Sequence, residues 1–179
     1  MALSCALTCG AAGNDPARWV DPMIGTQNGG NCFPGPAWPF GAVQPGPDTD
    51  QSPRRFGHPS GYDNRDPYLQ GFSQGHLNGT GCCDLGNLRL LPFEAGTITG
   101  AVHQSADWKK SERAVCGFYS VDLRDLGVGV EIAAARKAAI YRWTFRDGKA
   151  RVLVDCRWGA GTSEERLHES VASDHVTFS

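Results

Sequence analysis

The chain has 179 residues and a formal net charge of −2, with acids and bases interspersed along its length. A domain of this size buries roughly 70% of its unfolded surface, so a core needs neither a metal nor a disulfide staple. The absence of any basic stripe argues against nucleic acid as a partner, and no apolar run approaches the ~20 residues that a membrane-spanning helix needs.

Residues 1–17 are small and apolar up to Gly13, with no Lys or Arg before Arg18. They read either as the remnant of an export signal without its charged start or as a disordered leader. Residues 18–179 then form one domain. From 21 to 66 the chain is dominated by Gly, Pro, Asn, Asp and Ser and sustains no helical period. Loops and short strands are expected there, the kind of segment on which sites are built.

From Asn87 onward the texture changes to runs with period-two apolar spacing: NLRLLPF (87–93), TITGAVH (97–103), GFYSVDL (117–123), VGVEIAA (128–134), AAIYRWTF (138–145) and RVLVD (151–155). Each predicts a strand. Gly or charged turns separate them, and Asp147-Gly148 within 146–149 predicts a tight hairpin. The fold class is therefore all-β, an antiparallel β-sandwich. VASDHVTFS (171–179) again reads as a strand, with no cap or polar tail after it. An unpaired terminal strand is an exposed edge, so the expectation is a chain cut from a longer protein.

The seven cysteines (Cys5, Cys9, Cys32, Cys82, Cys83, Cys116 and Cys156) contain no CxxC pair. Most are expected to act as small buried hydrophobes. A zinc or redox site on Cys82, Cys83 and His76 is disfavoured because adjacent cysteines give poor tetrahedral geometry. Asp63 and Asp66 could pass for a paired acid and base, but Asp in this context reads first as a solvated turn former.

Four stretches, VDPMIGTQNGG (20–30), CFPGPAWPFGAVQPGPDT (32–49), SGYDN (60–64) and LQGFSQGHLNGTGCCDLGNLRLLP (69–92), together resemble the N-terminal signature of glycoside hydrolase family 92, the calcium-dependent exo-acting α-mannosidases. The resemblance continues more weakly through GFYSVDL, AAIYRWTF and ARVLVDC. It implies an N-terminal β-sandwich that shapes one wall of a site for a mannose-containing glycan. The site would be completed by a C-terminal (α/α)6 barrel of the same protein, absent from this chain. Inversion needs an acid and a base about 6.5–9.5 Å apart; the resemblance places both carboxylates and the Ca²⁺ ligands in the barrel. It therefore implies no catalytic or metal-binding residue in this chain and no activity of the fragment alone. It also implies a secreted or periplasmic protein, with surface anchoring left open. A free-standing lectin-like module is the alternative.

Sugars are held by aromatic faces and by donors and acceptors fixed to their hydroxyls. Candidate substrate contacts are Phe33, Pro34 and Gly35, in a loop with Trp38 and Phe40; Phe56, where the family has Trp; Gly61 and Tyr62; His76; and the Gly79-Thr80-Gly81 turn. Phe33 and Phe56 could equally be core or anchoring aromatics, and His76 a satisfied structural group. Asn78-Gly79-Thr80 is also a glycosylation sequon. Further departures from the family pattern are Gln74 and Tyr141, each in place of His, Asn87 in place of Asp, Cys32 in place of Thr, and the segment DWKKSERAVC (107–116).

Overall fold

A computed structural model describes residues 15–38, 41–49, 58–81, 88–98 and 104–155. Eight strands form two antiparallel four-stranded sheets, with three short 3₁₀ turns and no α-helix among the described residues. The first sheet has the order β1-β2-β3-β8, from β1 (Gly46–Asp48), β2 (Gly71–Ser73), β3 (Arg89–Glu94) and β8 (Ala150–Asp155). The second runs β4-β5-β6-β7, from β4 (Arg113–Val115), β5 (Phe118–Leu123), β6 (Val128–Ala134) and β7 (Ala139–Phe145). This is the predicted sandwich.

Period-two patterning builds the second sheet directly. Tyr119, Val121 and Leu123 are buried on β5, and Val128, Val130 and Ile132 on β6. The register sets them opposite one another, Tyr119 to Ile132, Val121 to Val130 and Leu123 to Val128. Tyr141, Trp143 and Phe145 of β7 extend the same three rows. One residue of slip would turn all three rows to solvent, which pins the register. Phe72 and Leu91 close the core from the first sheet and Leu69 from the segment before β2, with the Phe72 and Tyr119 rings edge to face at 6.4 Å.

Two expectations need correction. The Asp147-Gly148 turn is no hairpin: β7 pairs with β6, whereas β8 pairs with β3, so 146–149 carries the chain from one sheet to the other. Glu94 holds this corner, its Oε1 accepting from the backbone N–H groups of Asp147 at 2.7 Å and Gly148 at 2.8 Å. The chain bends at 147–148, where Gly148 is not among the glycines with positive φ, and local sequence does not reveal which sheet receives the next strand. In the 97–103 run, Thr97 closes a turn onto the Glu94 carbonyl at 3.1 Å. Strand structure is thus absent at 97–98, and 99–103 lie outside the described residues. The leader, VASDHVTFS, Phe40, Phe56, Asn87 and the cysteines other than Cys32 and Cys116 also lie outside, or largely outside, what is described.

Candidate functional site

The loops preceding β3 gather at β1 and β2. Asp48, the last residue of β1, is fully buried, and one of its carboxylate oxygens accepts from the hydroxyl of Ser73 at the end of β2. Its other oxygen lies 3.1 Å from Nε2 of His76. The Gln44 carbonyl, 2.8 Å from Nδ1, can only accept, so Nδ1 donates to it. Both ring nitrogens of His76 are therefore engaged within the protein, and the residue is 2% exposed. Phe33 stacks on the imidazole with centroids 4.4 Å apart at 18°.

Close backbone approach completes this cluster. A Cβ on Gly35 would stand 2.1 Å from the Pro45 carbonyl and 2.5 Å from the Phe33 ring, so no side chain fits. At Gly61 a Cβ would stand 3.0 Å from Asp48 Oδ1. Phe33, Gly35, Gly61 and His76 are thus one packed unit, and Pro34 is buried beside Phe33 in sequence.

Tyr62 has other partners. Its hydroxyl donates to Glu112 at 2.8 Å, Tyr119 donates to the same carboxylate at 2.9 Å, and Lys109 Nζ lies 2.8 Å from the Tyr62 oxygen. Burial, and then the Glu112 charge, hold the Tyr62 hydroxyl well above the ordinary phenol range. Burial pushes the Lys109 ammonium down against the pull of Glu112. Lys109 also sits 4.2 Å above the Trp108 ring. DWKKSERAVC, unplaced by sequence, therefore supplies the far side of the Tyr62 cluster.

Asp63 is a turn former, since its Oδ1 accepts from the Arg65 backbone N–H at 2.8 Å, but it is buried rather than solvated. Arg65 binds it through Nε and Nη2 at 3.0 and 2.8 Å. Asp66 accepts from Thr49 Oγ1 at 2.7 Å, and His58 lies between the two acids. The carboxylates of Asp48, Asp63, Asp66 and Glu112 all have partners inside the protein.

The Gly79-Thr80-Gly81 turn stands at the surface. Gly79 has φ +71° and, like Gly81, nothing within 4 Å of where a Cβ would be. Its N–H donates to the Asn31 carbonyl at 2.7 Å, which ties this turn to the 25–32 loop. Trp38, 59% exposed, is the most open aromatic between 26 and 81 among the described residues. The sequence placed Trp38 in this loop but gave no sign of Asp48 as the pivot, because its partners are 25 and 28 positions away. One departure from the family pattern reaches the neighbour of another: the Tyr141 hydroxyl donates to the carbonyl of Ser73, next to Gln74, at 3.4 Å.

The profile of the Glycosyl hydrolase family 92 N-terminal domain matches residues 19–177. The chain belongs to glycosyl hydrolase family 92. It is 31% identical over 182 residues to an uncharacterized secreted glycosidase of Arthroderma benhamiae, a match covering 92% of this chain and 22% of the relative. Among solved structures, a family 92 α-mannosidase from Bacteroides thetaiotaomicron superimposes with a TM-score of 0.76 at 31% identity, covering 84% of this chain and 21% of that one. The same enzyme in complex with mannoimidazole gives 0.73, over 80% and 20%. The chain thus spans about a fifth of the length of each of these relatives. Among its described residues no group of three or more His, Cys, Asp or Glu is arranged to hold a metal ion, and no helix is long and apolar enough to cross a membrane.

Proposed function

We propose that this family 92 domain shapes one wall of the sugar site of an exported, exo-acting, inverting α-mannosidase and is inactive alone. The observation that carries the reading is the 31% identity at a TM-score of 0.76 to an α-mannosidase whose second structure holds mannoimidazole. The relatives' greater length leaves room for the barrel in which the catalytic acid, the catalytic base and the Ca²⁺ ligands would lie. The buried carboxylates of Asp48, Asp63 and Glu112 are each bonded within the protein. In this reading the Gly79-Thr80-Gly81 turn faces the sugar, and Phe33, Pro34, Gly35, Gly61, Tyr62 and His76 hold the wall from beneath. Description of the Arthroderma relative as secreted supports export.

The test is mannose release from α-mannosides by the full-length protein, with the product anomer read by NMR and with EDTA added. Release of β-mannose, lost in EDTA, is the expected result. Retention of configuration, undiminished activity in EDTA, or turnover by the isolated chain would overturn the corresponding part of the reading. Tight mannose binding by the isolated chain, read by titration calorimetry, would favour the free-standing module instead.

A further inference from the structure

Three side chains at the meeting of β1 and β2 are buried, polar and bonded to one another, although none reaches the surface. Asp48 and Ser73 are 0% exposed and His76 2%. A solvated loop has no need of such a group, since buried polar atoms are costly unless each finds a partner. What the arrangement does is fix the plane of one ring. His76 is held at Nε2 by Asp48, itself held by Ser73, and at Nδ1 by the Gln44 carbonyl, so the imidazole cannot rotate without breaking a bond at each edge. Phe33 lies flat on that ring, and the backbones of Gly35 and Gly46 press on the Phe33 ring from positions where a Cβ would stand 2.5 and 2.7 Å from it. From this pivot the chain runs outward in both directions, to Trp38 on one side and to Gly79 on the other. The Gly79 to Asn31 hydrogen bond at 2.7 Å closes the circuit.

We propose that Asp48, Ser73 and His76 are positioning residues, setting the plane of Phe33 and through it the relative placement of the Trp38 loop and the Gly79-Thr80-Gly81 turn. The inference rests on the sugar-site reading only for its effect on substrate; the effect on the loops is independent of it. The three residues act through Phe33 and the two loops, without touching the ligand. Loss of such a supporting contact characteristically weakens a site 10- to 100-fold in metal centres, and an effect on the order of 10-fold is expected here. It should appear in KM, because the wall would be displaced while the catalytic groups in the barrel stay in place.

The experiment uses the full-length protein with Asp48→Ala, Asp48→Asn and, as a control for plain destabilisation, Ile132→Val in the second sheet. Amide hydrogen exchange is expected to quicken at 31–36 and 76–81 in Asp48→Ala, less in Asp48→Asn, which keeps an acceptor, with β5 and β6 unchanged. KM should rise on the order of 10-fold in Asp48→Ala, with kcat nearly constant and partial recovery in Asp48→Asn, while Ile132→Val leaves KM unmoved. Exchange that quickens uniformly, or not at all, would overturn the proposal. So would a fall in kcat with KM unchanged. A wild-type protein that released no mannose would sink the sugar-site reading, yet the exchange pattern would still decide the role of Asp48.

Discussion

The second sheet and the loops between 26 and 76 are both buried, but by different means. On β5 and β6 every fully buried side chain is apolar apart from the Tyr119 hydroxyl. These loops, with the short strands β1 and β2 set among them, instead bury Thr26, Asp48, Thr49, Ser60, Asp63, Ser73 and His76, seven of the eight buried polar residues described, beside Phe33, Tyr62, Leu69 and Phe72. Apolar burial is non-directional and supplies most of the driving force for folding. Hydrogen bonds add about 1 kcal/mol each net but have direction, and a buried group deprived of its partner keeps the full desolvation cost. A loop without a strand register has no other way to hold a fixed shape. The sheet accordingly supplies stability, and the polar layer supplies geometry.

The largest expected effect lies in the sheet. Ile132→Ala deletes a fully buried side chain opposite both Tyr119 and Tyr141 and should cost about 2–5 kcal/mol. Urea unfolding should show a lower midpoint with an unchanged slope. A loss below about 1 kcal/mol would mean that this row is not where stability resides.

Next comes Gly35→Ala. The added methyl would meet the Pro45 carbonyl at 2.1 Å and the Gly46 Cα at 2.9 Å, both backbone atoms that cannot swing aside. Overpacking of this kind costs about 1–3 kcal/mol. In contrast to Ile132→Ala, its chemical-shift changes should concentrate at 31–36 and 44–49. Changes spread evenly over β5 and β6 would erase the distinction between the two regions.

The same contrast explains what could be read in the sequence. Strands β3 and β5 to β8 were legible because period-two apolar spacing is a local signal with a direct physical cause. Short strands such as β2 and β4, with three residues each, carry too little pattern to stand out. Motifs in the loops marked His76 and Gly79 as notable, but the chemistry of a buried polar layer depends on partners. Tyr62 and Glu112 are 50 positions apart, and nothing in either local sequence announces their hydrogen bond. Gly35 stands out in the sequence only as a candidate substrate contact, and the fold alone shows that Phe33 and Pro45 leave it no room for a side chain.

Gly79→Ala sharpens the comparison from the exposed side. With φ +71° and no atom within 4 Å of the new methyl, the only penalty is backbone strain, on the order of 1 kcal/mol. A much larger loss in thermal unfolding would mean that the turn is packed rather than open. The readout that matters more is binding. If the turn faces the sugar, the methyl raises KM of the full-length protein while stability falls by no more than that strain.

The smallest effect concerns Asp63, where a polar contact of the loop layer reaches the surface. The Arg65 guanidinium, assisted by its backbone N–H and by His58, holds the Asp63 carboxyl below its ordinary value of 3.8, against the opposing influence of burial. A folded-state pKa below the unfolded one means that the unfolded chain binds more protons between the two values. The contribution to stability is therefore fully present above pH ~4 and is lost as pH falls through the folded value. Because the Arg65 side chain is 58% exposed, water and salt screen the pair and the effect stays modest. Arg65→Gln should lower stability at pH 7, and the gap from wild type should close as pH is taken from 5 towards 2 and Asp63 becomes protonated in both proteins. A gap that stayed constant across that range would show that Arg65 supports the loop through its aliphatic stem instead of its charge.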